Sequence, residues 1–194
     1  MQYTKDFNRI EKWITSLEND TGCSFRTISG RVKDGVYLLA IVRGLPGSGK
    51  STIADYICEN FECSKVEVDE FMSVTGEYIW PTKKQLRDVH EKCRTKMLNL
   101  MRADRMAVVS NTSTNLEAVL PYFKIANIVN KYSKVLIIEP STEWAQNKFE
   151  LKRKSLHGVK MGLIKKMARE YFPLKQGIFP LGRRISDSTT VGDK

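Results

Sequence analysis

The chain has 194 residues, of which 41% are hydrophobic and 28% charged, with a formal net charge of +10. That length suits one domain with a substantial core, and the composition is that of a soluble globular protein. No apolar run approaches the ~20 residues that a spanning helix needs, which excludes a helical membrane protein and a membrane partner.

The segment Met1–Arg9 has no apolar core followed by a small-residue cleavage site, so no secretion signal is read and an intracellular, cytoplasmic location is expected. Cys23, Cys58, Cys63 and Cys93 form no CxxC pair and no zinc spacing, and are expected to be free, packed thiols. The basic balance steers polyanions toward the surface, and ATP alone does not require it. A nucleic acid, DNA or RNA, is therefore the expected second partner, the alternative being a protein that is simply basic.

In chain order, the first predicted helix is Tyr3–Glu18, where Tyr3, Phe7, Ile10, Ile14 and Leu17 recur at helical spacing. With the Gly/Ser/Thr-containing link to Gly30, residues 1–30 read as an N-terminal helical extension that packs on the core or on a partner. A domain of strands alternating with helices follows over 31–172, and 173–194 reads as a C-terminal extension with a mobile end from Ser186 to Lys194.

Val36–Val42 has the continuous apolar character of a buried parallel strand. Directly after it, Gly44, Leu45, Pro46, Gly47, Ser48, Gly49, Lys50, Ser51 and Thr52 form the pattern G-x-x-x-x-G-K-[ST]. Glycines let the backbone turn tightly and aim N–H groups at phosphate oxygens. The following helix, with Ile53, Tyr56 and Ile57 on one side, points its positive dipole end at the same place. Lys50 then reaches the β and γ phosphates, and the Ser51 hydroxyl helps hold Mg²⁺. ATP and Mg²⁺ are the expected cofactors.

A second strand, Lys65–Val68, ends at Asp69. A carboxylate beside the γ-phosphate can orient a hydroxyl and accept its proton, which makes Asp69 the candidate base. Glu70 in that role, or Asp69 holding the magnesium, are the alternatives. Phe71, Tyr78 and Trp80 form either one wall of an acceptor pocket or ordinary core.

A long helix is predicted from about Lys83 to Arg102, with Leu86, Val89, Cys93, Met97, Leu100 and Met101 along one face and His90 packed beside them. The strand Met106–Val109 leads into the polar run Ser110–Asn115, then a helix in which Pro121 marks a bend or restart. The last strand, Val135–Ile138, ends at Glu139-Pro140. Asp69, Ser110, Asn111, Thr112 and Glu139 thus gather at the carboxyl ends of strands, where ligands bind in such sheets.

From Leu151 to Arg169 the chain carries Lys152, Arg153, Lys154, Lys160, Lys165, Lys166 and Arg169 with no acidic residue. This is a solvated basic face, a track for a phosphate backbone, or a lid. As a lid it would offer Arg153 to the charge that develops on the transferred phosphoryl group.

Taken in order, GLPGSGKST, Val68-Asp69, Gly76–Trp80, His90 and Cys93, Asn111-Thr112, Glu139-Pro140, Trp144 and His157-Gly158-Val159 resemble a group of P-loop kinases. That group includes the kinase domain of phage polynucleotide kinase and the kinase-like half of a cyclic-nucleotide phosphodiesterase. The resemblance covers about Val36 to Glu170. It implies a kinase-type P-loop NTPase fold, a three-layer α/β sandwich with a mainly parallel sheet. It also implies transfer of the ATP γ-phosphate to a 5′-hydroxyl of DNA or RNA.

Carried across, Lys50 and Ser51 bind phosphate and Mg²⁺, Asp69 activates the hydroxyl, and Arg153 or its neighbours form the lid. Phe71, Met72, Tyr78, Trp80, Asn111, Thr112, Lys154 and His157 are the residues expected around the acceptor. Three positions depart from the family. Ser110 stands where many relatives have Asp, Met72 where the phage enzyme has a basic clamp, and His157 where it has a lid arginine. A hydroxymethylated base in DNA, a small molecule of the gluconate or shikimate kind, and an ATP-binding module without turnover remain as alternatives.

Overall fold

The computed structural model describes residues 37–180, apart from 75, 76, 79, 80, 105, 132, 141, 143, 175 and 176. The helix expected over Tyr3–Glu18, Val36, Trp80, the Tyr78 side chain and the expected mobile end Ser186–Lys194 lie outside what is described.

Alternation along the central strands sorts side chains into two layers. In β1 (Leu38–Arg43), Leu38, Ala40 and Val42 pack with Ile53, Ala54, Tyr56 and Ile57 of α1 (Lys50–Phe61). Leu39 and Ile41 face the other way, toward α2 (Lys83–Asp104) and α3 (Leu116–Val129), in the larger core cluster. β5 (Met106–Asn111) and β6 (Lys134–Ile138) flank β1 and follow the same parity. Each fully buried aliphatic side chain contributes roughly 1.5–3 kcal/mol, so two such layers dominate stability.

Across the sheet the order is β2-β5-β1-β6-β7, with β2 (Ser64–Val66) at one edge. The first four strands are mutually parallel. This is the three-layer P-loop arrangement that the sequence predicts. β7 (Gly177–Pro180) runs antiparallel to β6 and was not foreseen; it lies in the segment expected as a C-terminal extension. Its Pro180 is tolerated because β7 is an edge strand.

Three boundaries shift for identifiable reasons. The second strand stops at Val66, because Glu67 and Glu70 cap each other and turn Val68–Phe71 into a 3-10 helix. Asp69 therefore rides on that turn. β5 runs two residues past Val109, pairing Ser110 and Asn111 with Val42 and Arg43. Helix α3 starts at the Asn115 cap and runs through Pro121 without a restart. After Asp69 come the short strands β3 (Ser73–Val74) and β4 (Glu77–Tyr78), which pair as a hairpin.

The basic stretch folds as α4 (Lys148–Lys154) and α5 (Met161–Glu170). Asn147 caps α4, and Lys152, Arg153 and Lys154 occupy its last turn, where cations suit the helix dipole. Leu151, Val159 and Ile164 form a small core of their own, packed against Leu45 of the glycine loop and Trp144.

Candidate active site

The glycine loop joins β1 to α1 at the carboxyl edge of the sheet. Gly47 and Gly49 take positive φ angles of 77° and 97°, which a residue with a Cβ rarely adopts. Gly47 also has no room for one, since a Cβ there would lie 2.2 Å from the Leu151 carbonyl oxygen. Two loop carbonyls are tied to the segment after β6. Trp144 Nε1 donates to the Gly47 oxygen at 3.0 Å, and Thr142 Oγ1 donates to the Ser48 oxygen at 3.1 Å. The arm carrying α4 and α5 is thus seated on the phosphate loop itself.

Lys50 is the first residue of α1. Burial pushes its ammonium below the ordinary lysine range, while Asp69 and then Glu67 pull it back by charge attraction. The loop lysine and the predicted base are therefore within electrostatic reach of each other.

The turn bearing Asp69 is held from below. Asn111 accepts from the Val68 N–H at 2.8 Å and donates to Tyr122 Oη at 3.0 Å, with Cys93 Sγ at 3.5 Å. One buried amide thus links β5, the turn, α2 and α3. Burial raises both the Cys93 thiol and the Tyr122 phenol, so both stay neutral here. The Asn111 side chain, expected at the acceptor, is here buried among these partners, where it supports the turn that carries Asp69.

Met72 is buried likewise, being 8% exposed and packed in the larger core. Phe71 packs against that core too and lines a shallow groove of about 760 Å³ along α2, which holds no residue of the phosphate loop. His90 is partly buried on α2, and burial followed by the nearby Arg94 lowers its pKa. Thr112 lies half-buried in the loop after β5.

Of the arm residues, His157 is the one that meets Asp69, Nε2 to Oδ2 at 3.4 Å. Lys154 stands 4.0 Å from the centroid of the Trp144 ring. Arg153 is paired with Glu150 one turn earlier at 2.7 Å, with 68% of its side chain exposed. The structure therefore brings Lys50, Asp69 and His157 together, and places Arg153 in an exposed pair with Glu150.

Sequence reasoning missed Arg43. It is 0% exposed and donates to Glu139 Oε1 at 2.7 Å, to the Ser113 oxygen at 2.8 Å and to the Phe172 oxygen at 2.9 Å. The Tyr171 ring lies 4.5 Å away. Glu139 also accepts from the Leu174 N–H, and Ser113 adopts a φ of 39°. The network locks the ends of β1 and β6 to the β5–α3 loop and to the chain leaving α5. The available signal was a lone arginine closing an apolar strand, with Glu139 closing the adjacent one.

Residues 39–174 match a family model described as an AAA domain (AAA_33). The chain belongs to this family. Its AAA domain is a P-loop ATP-binding unit. It is 31% identical over 137 residues to NEDD4-binding protein 2 of Homo sapiens, a match covering 69% of this chain and 8% of that protein. It is 28% identical over 149 residues to 2′,3′-cyclic-nucleotide 3′-phosphodiesterase of Rattus norvegicus, covering 73% of this chain and 34% of that one. The chain thus spans only a minor part of either relative. The fold also matches a chain of the Pnkp1/Rnl/Hen1 RNA repair complex at a TM-score of 0.58. That match has 16% identity and covers 82% of this chain and 53% of the other.

Proposed function

We propose that the AAA domain transfers the γ-phosphoryl group of ATP to a hydroxyl of a nucleic acid, the 5′-hydroxyl of DNA or RNA. The observation that carries this reading is the convergence of Lys50 and Asp69 beneath an arm seated on the phosphate loop. In the transfer, the acceptor oxygen bonds to the γ-phosphorus, the bond to the β–γ bridging oxygen breaks, and ADP leaves. Asp69 takes the hydroxyl proton, and Lys50 balances charge on the phosphates.

Two buried hydroxyls support a missing polar guest at the carboxyl edge of the sheet. Ser48 Oγ and Ser110 Oγ have no hydrogen-bond partner among the described residues. Ser110 shares a strand face with Val108, on the α1 side of the sheet. Among the described residues no group of three or more His, Cys, Asp or Glu could hold a metal ion. Mg²⁺ at a nucleotide site binds few protein groups and leans on phosphates and water. Ser51 would hold it, and the ion would supply charge neutralisation on the phosphate oxygens.

A nucleic-acid acceptor is supported by the exposed cations on and between α4 and α5, Lys152, Lys160, Lys165 and Arg169 among them. The net charge of +10 and the fold shared with a chain of an RNA repair complex point the same way. The test is incubation with γ-labelled ATP, Mg²⁺ and 5′-hydroxyl oligonucleotides of DNA and RNA. Label at the 5′ end is expected. Label on gluconate or shikimate but on no oligonucleotide would replace this reading, and ATP binding without any transfer would make the protein a binding module.

A further inference from the structure

We propose that His157 is a positioning residue that fixes the Asp69 carboxylate when its arm is seated on the phosphate loop. The inference rests on Asp69 being the base of the transfer proposed above.

His157 is not free to go elsewhere while the arm is docked. On one side of it, the Leu151 carbonyl packs onto Gly47, and Trp144 donates to the same glycine's oxygen. On the other side, Val159 and Ile164 pack with Leu151 and Leu45 in the small core. Between these anchors the chain turns through Ser155, whose N–H donates to Lys152, and Gly158 at a φ of 58°. The imidazole then lands with Nε2 at 3.4 Å from Asp69 Oδ2, within ion-pair distance and a few tenths of an ångström from hydrogen-bond range.

Stability does not account for the contact. The two side chains are 35% and 43% exposed, and a pair that open to water contributes little to folding. Orientation is the stronger account, because a base must lie within hydrogen-bond reach of the proton it abstracts. An Nε2–H group facing Oδ2 would hold the plane of the carboxylate toward the phosphate loop. Lys50 of α1 is also drawn to Asp69 by charge, and after it to Glu67. Glu70 is paired with Lys96, and on the arm Lys154 lies over Trp144.

The test compares His157→Leu with His157→Gln, since the glutamine amide retains an N–H donor at a similar reach. For His157→Leu the expected result is a kcat about tenfold or more below wild type, with the KM for ATP within about twofold. His157→Gln should retain kcat within about threefold. Independently of turnover, the two histidines of the chain give separate imidazole signals in proton–carbon correlation spectra. Asp69→Asn at one fixed pH should move the His157 signal and leave His90 in place.

Wild-type kcat in His157→Leu, or equal losses in both variants, would overturn the inference. So would an unchanged kcat with a raised acceptor KM, because His157 would then touch the acceptor and not orient the base. Label transfer by the wild type with an unmoved His157 signal sinks this inference alone. No transfer by the wild type to any acceptor sinks the proposed function, and this inference with it.

Discussion

Replacing Arg43 with methionine removes a guanidinium that is 0% exposed and holds three segments together. Its partners are Glu139 at 2.7 Å, the Ser113 oxygen at 2.8 Å and the Phe172 oxygen at 2.9 Å. Methionine fills much of the volume, so the cost is mainly electrostatic. Glu139 keeps the Leu174 N–H at 2.9 Å, but its side chain is only 14% exposed and loses its counter-charge. Breaking one half of a buried pair costs about 3–5 kcal/mol, a large share of the roughly 5–15 kcal/mol that holds a domain folded. The two abandoned carbonyls fall within that figure. The assay is urea unfolding followed by circular dichroism, with Arg43→Met, Glu139→Gln and the double variant forming a cycle. The double variant should recover about 1–3 kcal/mol relative to the sum of the singles. A loss below about 1 kcal/mol in Arg43→Met, or strict additivity, would refute the reasoning.

Gly47→Ala forces a Cβ against the Leu151 carbonyl at a backbone angle that costs alanine about 1–2 kcal/mol. ATP affinity by calorimetry should fall at least about tenfold, equivalent to 1.4 kcal/mol; an affinity within twofold of wild type argues against a seated arm. Asn111→Leu strips the Val68 N–H and the Tyr122 hydroxyl of their partner, and should cost about 2–3 kcal/mol in the same unfolding assay. Turnover should drop while ATP affinity holds, and unchanged stability would contradict the supporting role. Burial lowers the Lys50 pKa in the free protein, and phosphate charge must raise it in the complex. Between those two values the free lysine is deprotonated and the bound one protonated, so ATP binding takes up a proton and weakens as pH rises. Calorimetry in buffers of different ionisation enthalpy should show proton uptake that is confined to the window between the lowered free value and the raised bound one; uptake absent across the whole pH range up to the ordinary lysine value excludes the buried lysine from the phosphates.

The sequence made the donor half of the site legible because its parts are local. Nine consecutive residues, an apolar strand before them and a helical face after them place Gly44–Thr52 and Lys50 without tertiary information. Continuous apolar runs likewise mark β1, β5 and β6 as buried strands. The acceptor side was less legible because it is built by contacts distant in sequence. Asn111 is polar and sits at a strand end, which marks it as a site residue, yet three buried partners from other elements absorb its amide. Met72 follows Asp69 by three residues, but the 3-10 turn swings it into the core. The edge strand β7 has too short and too Gly/Pro-rich a segment to show a period. Arg153 and His157 are four residues apart on one arm. Only the seating of that arm on Gly47 and Leu45 decides which of them meets Asp69.

The central claim is that Lys50 and Asp69 form one site that moves phosphate from ATP to a nucleic-acid hydroxyl. Mass spectrometry of a 5′-hydroxyl oligonucleotide after incubation with ATP and Mg²⁺ tests it directly, with wild type and Asp69→Asn side by side. The account predicts one added phosphate at the 5′ end with wild type and a rate at least about a hundredfold lower with Asp69→Asn, while ATP still binds. An unmodified oligonucleotide with wild type, or equal rates from the two proteins, would contradict it.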